Sequence, residues 1–178
     1  MSQSLTPSKK NLAVSVDNSP QQYLTFSLGG EVFALGILNV KEIIEFGNIT
    51  EIPMMPAFIR GVINLRGAVV PVIDLSARFG GAASTVSRRT CIVIVELGEG
   101  EERQDLGVIV DAVNEVLEIP RADIEPPPSF GAKIRADFIL GMGKVEGRFV
   151  IILNVDRVLS TEEITMLASM SGGGNEEE

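Results

Sequence analysis

The sequence predicts a mainly β protein built from two similar lobes. Its 18 glycines and 9 prolines accompany many valines and isoleucines, a composition typical of short strands joined by turns. The segment at residues 58–75 also returns at residues 138–155, after 138 − 58 = 80 residues. That period is too long for a solenoid unit and suits a whole small barrel. Two β lobes with a crevice between them follow, and chance similarity of two β-rich stretches is the alternative.

The internal repeat matches glycines and charges as well as aliphatic residues. In the first copy, the matched residues are Phe58-Ile59, Gly61, Asn64-Leu65-Arg66-Gly67 and Asp74-Leu75. In the second copy, the corresponding residues are Phe138-Ile139, Gly141, Lys144-Val145-Glu146-Gly147 and Asn154-Val155. Upstream, residues 40–45 reappear as residues 113–118, after 113 − 40 = 73 residues. We therefore predict that the turns at 64–67 and 144–147 occupy equivalent places in two superposable barrels.

The first ordered element is a β-hairpin. Apolar residues alternate from Tyr23 to Leu35 around Gly29-Gly30, and glycine supplies the positive φ angles of a tight turn. A matching hairpin is predicted from Cys91 to Val110, with a longer acidic connection at residues 98–105. That connection lacks the alternating Asp/Asn ligands and central glycine of a calcium loop, so we interpret it as a solvated loop.

Two buried strands and one helix complete the prediction. The strands run over Val69 to Leu75 and over Arg148 to Val155, each after a glycine-punctuated turn. The helix begins at Ser160, which forms a capping box with Glu163. Its apolar face holds Ile164, Leu167 and Ala168.

The predicted domain organisation is two lobes between two loose ends. Residues 1–20 and the acidic tail 171–178 contain too few large apolar groups to offset their ordering entropy, so both are expected to be flexible. The first lobe spans residues 21–87. The second lobe spans residues 88–170 and includes the C-terminal helix. A strand that crosses between the lobes would shift the boundary at residue 87.

Charge and hydropathy exclude several classes of partner. The net charge of −9 and a pI near 4.6 would repel a phosphate backbone, so nucleic acid is not expected. Apolar runs are far shorter than the roughly 20 residues of a membrane helix, and residues 1–20 have no signal-peptide core. We expect a cytoplasmic protein. The single cysteine, Cys91, cannot form an internal disulfide and is expected to pack in a strand.

The residues needed for most catalysis are missing. The chain has no histidine and one cysteine, which removes histidine-based nucleophile activation and the usual zinc ligand sets. Residues 141–147 resemble a dinucleotide loop, but a strand follows, so no helix N-terminus meets a phosphate. Paired carboxylates such as Glu42 with Glu45 are read as solvated faces. The sequence therefore predicts no enzyme, no metal and no cofactor.

A set of sequence motifs spread over residues 21–170 carries a resemblance to a known family. These motifs are Tyr23 to Leu28, Glu31 to Leu35, Val40 to Ile43, Ile52 to Gly61, Val62 to Gly67, Val70 to Leu75, Gly107 to Asp111 and Ile124 to Phe130. Among them, the Asn-Leu-Arg-Gly run at 64–67 is the most specific, and together they resemble the CheW family of bacterial chemotaxis coupling proteins. The resemblance implies two five-stranded SH3-like barrels that form an adaptor, recruited to membrane receptor arrays.

The resemblance also implies partners and site residues. The partners are the cytoplasmic tip of a chemoreceptor, a methyl-accepting chemotaxis protein, and the regulatory domain of a CheA-type histidine kinase. The receptor-contacting residues would be Val40, Glu42, Asn64, Leu65 and Arg66, with Gly61 and Gly67 shaping the turn. The kinase contacts lie at the barrel ends and are not assigned to side chains.

Two alternatives remain open at this point. The chain could be a regulatory module of the same fold that serves another signalling pathway. It could also be a small-molecule binder or a carboxylate enzyme that uses the crevice, which would require convergent polar groups in an enclosed pocket.

Overall fold

The computed structural model describes residues 21–98, 100–127, 138–160, 163 and 166. Within these ranges, eleven strands and a short α-helix are formed, and Glu163 and Met166 are also helical. The strands are β1 (Gln21–Leu28), β2 (Glu31–Gly36), β3 (Val40–Glu45), β4 (Ile59–Leu65), β5 (Ala68–Asp74), β6 (Cys91–Leu97), β7 (Gln104–Val110), β8 (Ala112–Ile119), β9 (Ile124–Glu125), β10 (Ile139–Val145) and β11 (Arg148–Leu153), and the helix is α1 (Leu75–Arg78). The two predicted flexible ends, and Ile164, Leu167 and Ala168, lie outside the described residues.

The strands form two sheets, which are arranged as SH3-like barrels and confirm the mainly β prediction. One sheet has the order β3-β6-β7-β5-β4 and uses one continuous stretch of chain, so we name it the insert barrel. The other has the order β8-β1-β2-β11-β10-β9 and combines both ends of the described chain, so we name it the terminal barrel. The insert barrel is therefore placed within the sequence of the terminal barrel.

The predicted contiguous lobes, 21–87 and 88–170, do not correspond to these two sheets. The hairpin β1–β2 pairs with β8 and, in parallel, with β11, although all its residues lie in the first predicted lobe. Conversely, β6 and β7 belong to the insert barrel. The sequence repeat predicts that two copies exist, but not which strands pair. Because strands that pair in parallel are distant in sequence, the prediction grouped β1 and β2 with their sequence neighbours β3 to β5.

The two sheets are built alike, strand by strand. In the insert barrel, β7 pairs in parallel with β5, and Gly107 lies opposite Val72. In the terminal barrel, β2 pairs in parallel with β11, and Ala34 lies opposite Ile152. A β-bulge precedes Gly61 in β4, and another precedes Gly141 in β10. Each hairpin turn then has two consecutive residues with positive φ, at 66–67 and at 146–147. The predicted equivalence of these turns is confirmed.

Gly61 is required by a close approach of two backbone segments. Its φ is +147°, and a Cβ placed there would overlap the carbonyl oxygen of Thr50. Thr50 forms a bridge with Val62, with N···O distances of 2.8 and 2.9 Å. In the terminal barrel, Glu125 pairs in the same way with Met142. Glycine at 61 therefore lets this short segment close the end of the sheet.

The described residues form three apolar cores, one inside each barrel and one between them. The insert-barrel core is formed by Ile63, Val70, Val72, Ile92, Ile94 and Ile109, and the terminal-barrel core by Tyr23, Ala34, Ile119, Val150 and Ile152. The central core includes Phe26, Phe33, Leu75, Val95, Val108 and Leu153 from both sheets. Central strands thus bury both faces, which explains the unbroken apolar run from Cys91 to Val95.

Arg78, at the end of α1, links the two barrels to the C-terminal segment. Its Nε donates to the Val158 carbonyl oxygen at 2.8 Å, and its guanidinium pairs with Glu163 at 3.0 Å. The same guanidinium lies 4.7 Å from the ring centroid of Phe58 and 5.4 Å from that of Phe138, which are matched positions of the two barrels. The predicted capping box is confirmed, since Ser160 and Glu163 exchange hydrogen bonds of 2.7 and 3.1 Å.

Candidate functional site

The predicted site residues Glu42 and Arg66 form a bidentate ion pair at the rim of the insert barrel. Arg66 Nη1 and Nη2 donate to the two carboxylate oxygens of Glu42, each at 2.6 Å. Glu42 lies in β3, at one edge of the sheet, and Arg66 lies in the turn after β4, at the other edge. The pair therefore connects the two edges where the barrel closes.

Local backbone geometry aims both side chains at each other. Arg66 has a φ of +54°, which is uncommon for a residue with a side chain, and the following Gly67 has a φ of +88°. Asn64 steadies this turn, because its Oδ1 accepts a hydrogen bond from the Gly67 N–H at 2.9 Å. A β-bulge at Lys41 interrupts the alternation of side chains along β3. Glu42 therefore lies on a different face of the strand from the one that regular alternation would give it.

The ion pair is open to solvent. The Arg66 side chain is 70% exposed and that of Glu42 is 28% exposed. Hydrogen bonding from Arg66 lowers the pKa of Glu42, and the bond to Glu42 raises the pKa of Arg66. Both groups therefore stay charged at neutral pH. Exposed pairs contribute little to stability because solvent screens them, so this geometry offers a preorganised charge pattern more than a folding contribution.

The other predicted site residues fall in different places. Leu65 is half-buried and packs on the insert-barrel core, directly beneath the turn. Val40 lies on the far side of the bulge, pairs with Val95 and packs against the central core. Gly67 is in the turn as predicted. Gly61 is not, because it lies at the bulge of β4, where its role is to admit Thr50.

Exposed apolar residues in or next to the insert-barrel strands were not predicted as part of the site. Ile43, next to Glu42 in the edge strand β3, is 42% exposed, and Val69 in β5 is 38% exposed. Leu38, in the short turn before β3, is almost fully exposed. The sequence feature that could have predicted them is Ile43, an apolar residue between Glu42 and Glu45. At this solvent-facing position of an edge strand, a polar residue is expected.

The acidic connection adds a wall beside this rim. Lys41 pairs with Asp105 at 3.1 Å, and Arg103 lies 3.6 Å from Glu96. Together with Val69 these residues line an open concavity of about 660 Å³ next to the ion pair. The connection at residues 98–105, which was predicted to be a solvated loop, is thus held to β3 by the Lys41–Asp105 ion pair.

Other kinds of site are not found in the part of the chain that the structure describes. No group of three or more His, Cys, Asp or Glu side chains there could hold a metal ion. No described helix has the length and apolar character needed to cross a membrane.

Comparison with known proteins gives consistent matches over most of the chain. The CheW-like domain matches residues 22–163. The chemotaxis protein CheW of Klebsiella aerogenes is 32% identical over 151 residues, 85% of this chain and 89% of that protein. Its counterpart in Rhizobium meliloti is 33% identical over 153 residues, 86% and 96% of the two chains.

A solved structure and a further relative extend this comparison. The crystal structure of the scaffolding protein TtCheW from Thermoanaerobacter tengcongensis matches with a TM-score of 0.73 and 39% identity, over 82% of this chain and 91% of that one. Protein FrzA of Myxococcus xanthus is 32% identical over 143 residues, 79% of this chain and 86% of that protein.

Proposed function

Because the chain belongs to the CheW-like domain family, we propose that it couples a chemoreceptor tip to a CheA-type histidine kinase. It is an adaptor of the chemotaxis type, similar over most of its length to proteins named for chemotaxis and scaffolding. As a scaffold it acts without catalysis or cofactor, by holding two partners in one assembly at the cytoplasmic side of the membrane. The alternative of a module for another pathway is not favoured by these relatives.

The observation that carries the receptor proposal is the exposed Glu42–Arg66 pair. A bidentate carboxylate–guanidinium pair has a fixed geometry, so it presents one donor edge and one acceptor edge to a partner at low ordering cost. Leu65 precedes Arg66 and is half-buried, and Ile43 is exposed on the edge strand that carries Glu42. A helical tip with an apolar stripe and flanking polar groups fits such a surface. Val40, Glu42, Asn64, Leu65 and Arg66 are the proposed contact set.

The kinase is proposed to bind a different face. A coupling protein must present separate surfaces to its two partners, and we assign the kinase to the barrel ends away from the Arg66 turn. Each contact needs only moderate affinity, because repeated weak contacts in an array add through effective concentration.

Charge reversal tests the receptor site. Arg66→Glu and Glu42→Arg should each weaken binding of a receptor cytoplasmic fragment by tenfold or more, since removal of one partner of a desolvated interface pair costs about 2 kcal/mol or more. Their melting temperatures and kinase-domain affinities should stay close to those of the parent. The swapped double variant restores the intramolecular pair and reports whether its orientation matters.

Arg148→Glu is the matched control, an exposed arginine at the equivalent hairpin of the terminal barrel. It should leave receptor affinity unchanged. Unchanged receptor binding in Arg66→Glu, or a loss that follows global unfolding, would contradict the proposed site. Full displacement of the kinase domain by excess receptor fragment would contradict the separate faces.

A further inference from the structure

Met54 is a fully exposed methionine in the connection between β3 and β4 of the insert barrel. It forms a turn with Pro53, and Pro56 follows two residues later. The relative exposure of Met54 is 100%, the highest of the exposed large apolar residues that the structure describes. Met54 also belongs to none of the three apolar cores. Its thioether sulfur is therefore open to solvent and to small solutes.

The backbone conformation at Met54 is one that methionine rarely adopts. Its φ is +63°, in the left-handed region that disfavours residues with a Cβ. A proline followed by a residue with positive φ is the arrangement of a type II turn, whose third position favours glycine or asparagine. Because the Met54 side chain is exposed in full, it gains no packing from this conformation within the described part of the chain. Such a backbone outlier is a reason to look for a function of the side chain itself.

Met55, the next residue, provides a contrast within the same connection. It is partly buried and packs against the central core. Met142 and Met166, the other described methionines, are also partly buried, and Met166 packs against the same core. Met54 and Met55 thus carry the same thioether one residue apart but differ in solvent access. Exposure, and not sequence position, should therefore decide which of the two sulfur atoms reacts.

We propose that Met54 is a modification site at which peroxides convert the thioether to methionine sulfoxide while the fold stays intact. A sulfur lone pair attacks the terminal oxygen of the peroxide, and an S–O bond forms as the O–O bond breaks. The proton on that oxygen passes to the leaving oxygen, which departs as water or an alcohol. Sulfur is oxidised and the peroxide is reduced. At Met54 the polar sulfoxide is solvated, whereas at Met55 it would lie against an apolar core.

Treatment of the full chain with hydrogen peroxide, followed by peptide mass spectrometry, tests the proposal residue by residue. Met54 sulfoxide should form about tenfold faster than the sulfoxide of Met55 or Met166, because peroxide reaches a packed sulfur only after local opening. Fragment ions that split the chain between residues 54 and 55 distinguish the two neighbours. Oxidation of Met55, Met142 or Met166 as fast as that of Met54 would overturn the proposal. Methionine sulfoxide reductases for both epimers, supplied with a dithiol, should then restore the Met54 thioether.

Two leucine variants separate the neighbouring sites. Met54→Leu should lose the fast oxidation, and Met55→Leu, a volume-conserving change, should keep it. Protein oxidised at Met54 alone should keep the melting temperature of the untreated chain, whereas later oxidation of Met55 should lower it. Loss of the fast oxidation in Met55→Leu, or a fall in melting temperature when only Met54 is oxidised, would overturn the proposal. Neither readout involves a receptor or a kinase, so the outcome is independent of the proposed function.

Discussion

The two barrels share a backbone plan but differ in their polar chemistry at matched positions. Arg60, Arg66 and Asp74 of the insert barrel correspond to Leu140, Glu146 and Asn154 of the terminal barrel. The glycines, bulges and aliphatic cores are kept in both copies. This difference teaches that backbone closure and apolar packing define the barrel, while ion pairs can be added or removed without changing it.

Asp74 shows how far the insert barrel depends on its added charges. It is fully buried, pairs with Arg60, and accepts hydrogen bonds from Ser76 and Ala77 N–H at the start of α1. It also accepts two bonds from Ser84, both at 2.8 Å. Asn154, in the matched position, makes no side-chain cap with the short turn that follows it.

Removal of the Asp74 carboxylate should give the largest effect. Asp74→Ala leaves Arg60 and several N–H groups without their partner, and loss of one member of a buried pair costs about 3 to 5 kcal/mol. Asn154→Ala should cost less than about 1 kcal/mol. Urea unfolding of both variants checks the contrast. Equal losses would show that the two positions carry equivalent roles after all.

A methyl group at the two matched bulge glycines should give the next largest effect. Gly61→Ala forces a residue with a Cβ to a φ of +147° and against the backbone of Thr50, which we expect to cost about 2 to 4 kcal/mol. Gly141→Ala meets Ile124 Cγ2 at 2.6 Å and the Glu125 carbonyl oxygen at 3.1 Å, contacts less severe than that at Thr50 and without a positive φ, so about 1 to 2 kcal/mol is expected. Thermal unfolding of both variants measures the difference. A larger loss for Gly141→Ala would contradict the assigned cause.

Installing the missing ion pair should have a small effect. Glu146→Arg places a guanidinium opposite Glu115, which matches Glu42 in the strand register. The free energy of unfolding should rise by no more than about 1 kcal/mol. A double-mutant cycle with Glu115→Gln isolates the pair. A coupling near zero would show that the two rims differ in backbone position as well as in side chains.

The smallest predicted effect is on pH dependence. The pKa of Glu42 is lowered from its ordinary value of 4.5 by Arg66, so its contribution is present above that value and is lost as the pH falls through the lower folded-state pKa. Stability curves of the parent and Glu42→Gln should therefore differ above pH 4.5 and converge below it. Glu115→Gln serves as the matched control. Curves that converge on the alkaline side instead would contradict the stated sign.

Much of this molecule could be predicted from its sequence. The repeat of Gly61 and Gly67 at Gly141 and Gly147 predicted two copies with equivalent turns, because glycine marks backbone conformations that other residues avoid. The family resemblance placed Glu42 and Arg66 in one receptor-contacting set, and the two side chains meet in the structure. Their role in receptor binding stays a prediction.

The features that were missed depend on contacts between distant segments. Strand order could not be read from periodicity, because β2 reaches its parallel partner β11 only in three dimensions. Asp74 looked like an ordinary strand end, since its partners Arg60 and Ser84 give no periodic signal.

The nesting of one barrel within the other has a consequence for synthesis on the ribosome. The insert barrel is complete once the chain has reached Val110. The hairpin β1–β2 emerges first but lacks its parallel neighbour until β11 is made, 148 − 36 = 112 residues later. At about 5 to 20 residues per second, that delay is on the order of 10 s. During this interval an apolar hairpin edge is unpaired, so chaperone demand should fall on this hairpin.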